Sequence, residues 1–350
     1  MKLCKVSDIT GEEKLARPIM TASYQELLAA GTVLKKEYIP KILQLGITEV
    51  FIEDSKLSPS EVKILQEEVG GRFKDKVRSI MERHVYNDSS DLEELTKTAD
   101  SIINNILENE ELVEQIYDIK ERSADIYEHS VNVCSMAVLV AIKLSINLDT
   151  IHDLGVACLF HDIGLRYINF DYANVMLDEL DAKQLVEYRK HPAYAFSSLE
   201  KETWMSEKSK AMILRHHERK DGSGYPLHAR GMDTETQVLQ VCDAFDEMIC
   251  GIGCKRSRVY EAVEYLKYCK GALFDENVVD TLLEFTAVYP AGTVVVLSTG
   301  EMGIVVRQNR QFPERPVIRV MKDKDGNTID EEKVCDLLNV HNIYIEKVLL

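Results

Sequence analysis

Positive charge is scarce in this sequence. The 350 residues include 42 lysines and arginines against 59 aspartates and glutamates, which gives a formal net charge of −17. A nucleic-acid polymer requires a basic surface, so this balance argues against such a partner. A small anionic ligand is compatible with the charge if metal ions supply local positive charge.

Paired cysteines and long apolar runs are also missing. The eight cysteines form no CxxC pair, which fits neither a zinc ribbon nor a secreted disulfide framework. Reduced thiols, as in a cytoplasm, are expected instead. No run approaches the roughly 20 apolar residues of a membrane span. The first residues lack the apolar core of a signal peptide. We therefore expect a cytoplasmic protein without a membrane partner.

Changes in residue composition and periodicity along the chain predict four segments. Residues 1–56 indicate a small α/β module, and residues 57–122 indicate a helical linker. The pattern from 123 to 288 is helical almost throughout. Short β-type runs separated by Gly and Pro then predict a small β-rich module at 289–350. The expected fold class is mainly α.

Apolar residues in the predicted linker recur at spacings of three and four. They are Leu92, Leu95, Ala99, Ile102, Ile106, Val113 and Ile116. One interpretation of this weak heptad is a homodimer seam through residues 92–116. The alternative is that the helices pack on their own domain, because such stripes usually face a core.

Histidines and carboxylates concentrate in the helical middle of the chain. His129 follows the apolar positions of its predicted helix and points inward. His161 and Asp162 end the next helix and project about 100° apart, so they bracket a point in space. A carboxylate in that position is able to bridge two metal ions.

Further candidate ligands follow along the chain. His191 precedes Pro192 at a predicted helix start, and His216 and His217 end a helix before a turn. Asp243 shares a polar face with Gln240, Asp246 and Glu247. Each alone also fits a structural role, as a hydrogen-bonded histidine or a solvated carboxylate. Together they offer the mixed nitrogen and oxygen ligands of a dinuclear site for Fe, Mn or similar ions.

Two strings of residues resemble a known family. The string FHDIG at 160–164 is similar to the signature of the HD superfamily of phosphohydrolases. The string HHERKDGSGYP at 216–226 resembles the extended motif that defines the HD-GYP branch. The segments at 129–133 and 191–192 resemble the family's other ligand segments. The resemblance covers about 123–288 and implies an all-helical HD-GYP metal-phosphohydrolase core.

The resemblance also implies which residues hold the metal ions. The first ion would take His129, His161, Asp162 and Asp243. The second would share Asp162 and take His191, His216 and His217. Some members hold a third ion through a carboxylate one turn before the first histidine. Asp125 occupies that place here.

The activity implied by the resemblance is hydrolysis of cyclic di-GMP. A hydroxide that bridges two metals, with Asp162 as the bridging ligand, would attack the phosphodiester. The products would be the linear dinucleotide and, on further hydrolysis, GMP. Substrate contacts are expected from the glycine-containing loop and from one basic residue. These residues are Gly222, Gly224, Tyr225, Pro226 and Lys255.

This sequence departs from the family pattern at two positions. Leu165 stands where many members have Lys, and Ile252 stands where they have Arg. In the family, that Lys and that Arg are expected to contact the substrate. Their replacement by Leu165 and Ile252 therefore weakens the expected binding of phosphate or guanine. One alternative is therefore a metal-loaded, catalytically weak signalling protein that binds cyclic dinucleotides. Another is an HD phosphohydrolase that acts on a different nucleotide.

Overall fold

The chain forms two compact units. The structure, a computed structural model, describes residues 2–16, 18–20, 26–29, 31–53, 63–65, 67–87, 90–108, 115–119, 122–309 and 312–349. One unit comprises residues 1–61 and 290–350, and the other comprises residues 62–289. The sequence predicts separate modules at the two ends, whereas both ends belong to a single unit here.

The first unit begins with short antiparallel pairs around a small core. Its N-terminal elements are β1 (Lys2–Lys5), β2 (Ile19–Met20), β3 (Glu26–Leu28), α1 (Ile39–Gln44) and β4 (Glu49–Ile52). Strand β1 pairs with β4, and β2 pairs with β3. Buried aliphatic residues such as Leu15, Leu34 and Val50 fill the space between them. A core this small stabilises little by itself.

The C-terminal part of the same unit is an antiparallel sheet. It contains β5 (Val294–Leu297), β6 (Met302–Arg307), β7 (Val317–Lys322), β8 (Thr328–Asp336) and β9 (Ile345–Val348), in the order β8-β7-β6-β5-β9. Ala16 and Phe51 pack against buried residues of this sheet. The Lys322 ammonium also pairs with the Glu49 carboxylate at 2.8 Å. These contacts join the two ends of the chain.

The second unit is helical, which confirms the mainly α fold class. Its helices are α2 (Glu67–Asn87), α3 (Glu94–Leu107), α4 (Ile126–Lys143), α5 (Leu148–Phe160), α6 (Ala182–Tyr188), α7 (His191–Leu199), α8 (Glu207–Arg215), α9 (Thr234–Cys250), α10 (Val259–Cys269) and α11 (Glu276–Glu284). Helices α4, α5 and α9 contribute largely buried apolar residues to one core. Their ends and inner faces carry the candidate site.

Short polar side chains begin these helices. The Asp125 carboxylate accepts the N–H groups of Tyr127 and Glu128 at the start of α4. Asn147 caps α5 in the same way, and Asp233 caps α9. Such caps satisfy backbone donors that have no partner inside the helix. They fix where each helix starts, and therefore where its inner residues lie.

The apolar stripe of the predicted linker faces the core of its own unit. Leu95, Ala99, Ile102 and Ile106 on α3 are fully buried, and Leu92 is buried beside them. Val113 lies outside the described residues. The alternative interpretation, helices packed on their own domain, accounts for these side chains. Their burial leaves them no surface with which to contact a second copy.

Among the residues that the structure describes, no helix is both long and apolar enough to cross a bilayer.

Candidate metal centre

Five helices bring the predicted ligands to one buried place. His129 lies on α4, His161 and Asp162 follow α5, and His191 begins α7. His216 and His217 follow α8, and Asp243 lies on α9. All seven side chains are at most 3% exposed. Burial of this many polar groups is costly unless each has a partner.

Four ligand atoms form a first cluster. His129 Nε2 lies 3.1 Å from His161 Nε2 and 3.1 Å from Asp243 Oδ1. His161 Nε2 lies 3.2 Å from the same Asp243 oxygen. Asp162 Oδ2 completes the cluster at 3.5 Å from His129 Nε2 and 3.6 Å from His161 Nε2.

A second cluster shares Asp162. His191 Nε2 lies 3.1 Å from His216 Nε2. Asp162 Oδ1 is 3.4 Å from His191 Nε2 and 3.7 Å from His216 Nε2. One nitrogen of His217 is within 4.8 Å of these atoms. The two oxygens of Asp162 therefore face different clusters, as expected of a carboxylate that bridges two ions.

The donor set and its spacing fit divalent metal ions. Two ligands at about 2.1 Å from one ion, at angles between 90° and 180°, lie roughly 3–4.2 Å apart. The individual separations given above, which run from 3.1 to 3.7 Å, fall in this range. Three buried atoms, Asp162 Oδ2, Asp243 Oδ2 and His217 Nε2, have no hydrogen-bonding partner among the described residues. Cations at the two clusters would provide the compensation that burial of such atoms requires.

Backbone carbonyls orient three of the histidine rings. The Nδ1 atoms of His161, His191 and His216 lie 2.6–2.8 Å from carbonyl oxygens three residues earlier in the chain. A neutral ring that donates through Nδ1 keeps its lone pair on Nε2. The Nε2 atoms are the ones that converge in the clusters. The rings are thus prepared as ligands before any ion binds.

A carboxylate orients His129 instead. Its Nδ1 lies 2.7 Å from Asp246 Oδ2, and Arg122 forms an ion pair with the same oxygen. Burial alone would raise the pKa of Asp246, but the Arg122 charge and the His129 hydrogen bond lower it overall. Asp246 therefore stays ionised behind the ring. The sequence placed Asp246 beside Asp243 but assigned it no role, and it gave no signal for Arg122.

Burial also sets the charge of the second cluster. It lowers the pKa of His216 to about 3, with His161 as a further cause. Burial and the neighbouring His216 lower the pKa of His217 well below its usual value. Both rings are therefore neutral at pH 7. Neutral imidazoles bind metal ions without first releasing a proton.

The loop after His217 packs against the centre. Tyr225 stacks on the His217 ring, with 4.7 Å between ring centroids and 26° between planes. A Cβ atom at Gly224 would collide with the backbone of His217 and Glu218. The buried Glu218 carboxylate accepts the N–H groups of Leu227 at 2.6 Å and Ala229 at 2.8 Å. This loop is held by its own hydrogen bonds and covers one side of His217.

Other residues of the loop after His217 determine its backbone conformation. Gly222 has a φ of +81°, and a Cβ there would collide with the Arg230 side chain. Pro226 follows Tyr225 through a cis peptide bond. The structure thus places Gly222, Gly224 and Pro226 in the loop, while the Tyr225 ring contacts a candidate ligand directly.

Two predicted residues are not brought into the clusters. Asp125 caps α4, and its other oxygen lies 2.6 Å from Arg78 Nη2. Its carboxylate is therefore committed to the helix and to an arginine. The exposed Lys255 ammonium pairs with Glu179. It is not directed to either cluster.

The two departures from the family pattern lie together in one apolar cluster. Leu165 and Ile252 are each 1% exposed and pack with Ile168, Tyr188 and Cys250. The Tyr188 ring in turn contacts the His191 ring, with centroids 5.1 Å apart. Apolar packing has replaced cationic groups at both positions. The wall behind His191 therefore offers no charged donor from Leu165 or Ile252.

Family models match most of the chain. Residues 85–278 match the model described as an HD domain. Residues 294–350 match the model described as a KOW domain associated with HD domain. The sequence predicted a small β-rich module in the latter region without identifying its type.

The curated relatives that match this chain are named as cyclic di-GMP phosphodiesterases. A cyclic di-GMP phosphodiesterase of Pseudomonas aeruginosa, PA4108, is 26% identical over 241 residues, which cover 68% of this chain and 58% of that protein. RpfG of Xanthomonas campestris, named a cyclic di-GMP phosphodiesterase response regulator, is 30% identical over 152 residues. That match covers 42% of this chain and 40% of RpfG. The chain thus spans less than two thirds of either relative.

A solved structure shares the fold. Bd1817, described as a HDG"Y"P protein from Bdellovibrio bacteriovorus, superposes with a TM-score of 0.52 at 17% identity. The superposition covers 80% of this chain and 97% of that one.

Proposed function

The chain belongs to the HD domain family and to its HD-GYP branch, and from this premise we propose that it hydrolyses cyclic di-GMP. The product would be the linear dinucleotide, with GMP formed on further hydrolysis. One observation carries the proposal: the two oxygens of Asp162 face two separate groups of histidine nitrogens. The names of the curated relatives support the same substrate.

The residues would divide between two divalent ions, for which we propose Fe or Mn. His129, His161 and Asp243 would hold one ion, His191, His216 and His217 the other, and Asp162 would bridge them. When bound, the ions lower the pKa of a water molecule and offset negative charge on the phosphoryl oxygens. Asp246 holds the His129 ring in position, and three backbone carbonyls hold the other rings. Tyr225 would form the wall that substrate meets beside His217.

A second candidate function is binding of a cyclic dinucleotide with little turnover. The burial of Leu165 and Ile252 in an apolar cluster favours it, because neither position offers a charge to phosphate or guanine. A lost hydrogen bond to a charged group costs about 1.5–3 kcal/mol, or roughly 10- to 150-fold in affinity. An HD phosphohydrolase for another nucleotide is the remaining alternative.

We also propose a cytoplasmic location, because the eight cysteines form no CxxC pair and do not indicate a secreted disulfide framework. The homodimer predicted through residues 92–116 has weak support. The apolar side chains of that stripe that the structure describes pack inside their own unit.

The deciding experiment is hydrolysis of cyclic di-GMP by anaerobically purified protein with added Fe²⁺ or Mn²⁺, followed by product chromatography. We expect linear dinucleotide or GMP. The double variant His161→Ala, Asp162→Ala should lose both bound metal and turnover, because it removes the bridge and one ring. Turnover by that variant would contradict the assigned centre. Metal-loaded protein that binds the substrate but forms no product would favour the second candidate.

A further inference from the structure

One cation at the edge of the centre has no anionic partner. Arg189 directly follows α6, two residues before His191, and is exposed. Its guanidinium carbon lies 5.7 Å from the centroid of the Tyr225 ring. Among the residues that the structure describes, no carboxylate forms an ion pair with Arg189. Its positive charge is therefore available to a ligand.

Two neighbouring cations are already engaged within the protein. The Lys190 ammonium lies 3.1 Å from the Glu187 carboxylate. The Arg219 guanidinium donates to the carbonyl oxygens of His216 and Glu218, at 3.2 and 2.9 Å. The first charge is offset by a carboxylate, and the second holds the turn after α8. Neither is as free to bind a substrate as the guanidinium beside Tyr225.

The Tyr225 ring links Arg189 to the candidate ligands. This ring stacks on the His217 ring, with centroids 4.7 Å apart, and meets the His191 ring edge-on at 6.2 Å. A guanidinium within about 6 Å of an aromatic centroid is attracted to the ring. The attraction restricts a long, exposed side chain to one side of the centre, so less conformational entropy remains to be lost on binding.

The proposed substrate carries two phosphodiester groups. One would lie at the ions, so the other must be bound by protein groups away from them. A guanidinium suits a phosphate, because it donates two parallel N–H groups and carries the opposite charge. Leu165 and Ile252 lie in an apolar cluster and offer no such donor. Arg189 provides one beside the Tyr225 ring, from a different position in the chain.

We propose that Arg189 binds the second phosphodiester group of cyclic di-GMP, the one that does not lie at the ions. The inference rests on the proposed function, because it requires that substrate. The chain has a net charge of −17, so most of its surface repels a dinucleotide, and an unpaired arginine beside the centre favours binding there. Arg189 would determine how tightly the substrate binds and would take no part in cleavage of the bond at the ions.

The kinetic constants of full-length, Mn²⁺-loaded protein test this inference. For Arg189→Gln we expect the KM for cyclic di-GMP to rise about tenfold or more, because a hydrogen bond to a charged group is lost. The value of kcat should change little, because a contact away from the ions is lost equally in the ground state and the transition state. Hydrolysis of bis(p-nitrophenyl) phosphate, which has a single phosphodiester group, should be unchanged.

Lys190→Gln is the matched control, because it removes the same charge from the neighbouring residue. It should keep the wild-type KM. Arg189→Lys keeps the charge but not the planar fork, so its KM should lie between those of the wild type and Arg189→Gln. If the wild type binds cyclic di-GMP without turnover, the dissociation constant replaces KM and the same differences are expected.

Four outcomes would overturn the inference in distinguishable ways. An unchanged KM in Arg189→Gln would remove the contact, and an equal rise in Lys190→Gln would reduce it to a general effect of charge. Slower hydrolysis of bis(p-nitrophenyl) phosphate by Arg189→Gln would show that the arginine supports the centre itself. A lower affinity for cyclic di-GMP, with an unchanged affinity for cyclic di-AMP, would assign the contact to guanine.

Failure of the proposed function would have its own result. Wild-type protein that hydrolyses bis(p-nitrophenyl) phosphate, but neither binds nor hydrolyses cyclic di-GMP, would overturn the proposed substrate and, with it, the role of Arg189. The metal centre would then stand without that substrate.

Discussion

At the scale of the residue, Asp246 shows how the centre depends on a group that need not touch an ion. It accepts the hydrogen bond of His129 Nδ1 and is itself held by Arg122. Such partners of ligand histidines commonly change metal affinity by one to two orders of magnitude. Asp246 is therefore a positioning residue in the proposed centre.

We predict that Asp246→Asn weakens Mn²⁺ binding about 10- to 100-fold. The amide can still accept the His129 hydrogen bond, but it lacks the charge that raises the basicity of the ring and pairs with Arg122. Competition with a metallochromic chelator measures the change. Asp280→Asn is the control. Asp280 is an exposed residue of α11 that pairs with Lys270, and this variant should bind Mn²⁺ with wild-type affinity. Equal affinities in both variants would contradict this role.

The candidate ligand residues could be proposed from the sequence, but the residues that hold them in position could not. His161-Asp162 and His216-His217 occur in local strings whose residue types and spacing carry the chemistry. Arg122 and Asp246 are 124 residues apart in the chain, so only folding brings them together.

At the scale of the element, the start of α4 decides where His129 lies. The Asp125 side chain accepts two backbone N–H groups of the first turn, and His129 follows one turn later. The resemblance to the family implied Asp125 as a ligand of a third metal ion, because Asp125 lies one turn before His129. A position one turn before a ligand serves equally well as a helix cap. The two roles compete for the same two oxygens.

We predict that Asp125→Ala lowers the free energy of unfolding by about 1 kcal/mol, since it removes the cap. Asp125→Asn should retain most of it, because the Asn side chain also caps helices. The ion pair with Arg78 adds little, because the Arg78 side chain is 41% exposed. Urea unfolding of the metal-free proteins measures both changes. Equal losses in the two variants would argue that the ion pair, and not the cap, stabilises this end of α4.

Sequence periodicity and capping residues predict the helices of the second unit. They do not predict what each apolar helix face packs against. The stripe on α3 fits a dimer seam and a core face equally well in sequence. Burial of Ala99 and Ile102 beside α5 distinguishes the two. Leu165 and Ile252 show the same limit. Their identities indicated a lost clamp, but not that both would pack in one cluster.

At the scale of the whole molecule, the helical unit assembles its centre from five helices, so ions bound there stabilise the folded state. We predict that removing them with a chelator lowers the melting temperature. Ions present at one hundred times their dissociation constant contribute about 2.7 kcal/mol. Differential scanning calorimetry with and without the chelator measures the shift. The double variant His161→Ala, Asp162→Ala should show no shift in melting temperature on addition of the chelator. A wild-type protein whose melting temperature also stays unchanged would contradict the prediction.

The division into units could not be predicted from a linear sequence. Changes in composition near residues 56 and 289 distinguish both ends of the chain from its helical middle. Local patterns do not predict that the two ends form one unit. The pairing of Lys322 with Glu49 and the packing of Phe51 against the sheet are long-range contacts. Such contacts have no local signature in a single chain.

The discontinuous first unit has a consequence for synthesis on the ribosome. Its N-terminal part, residues 1–61, is made first, but its partner sheet lies beyond residue 289. At about 5–20 residues per second, the intervening segment takes roughly 10–50 s to translate. During that time the helical unit is able to emerge and fold while the earlier strands wait with apolar residues uncovered. Apolar residues of this part that pack on the sheet, such as Phe51, are therefore expected to need protection until the sheet has been made.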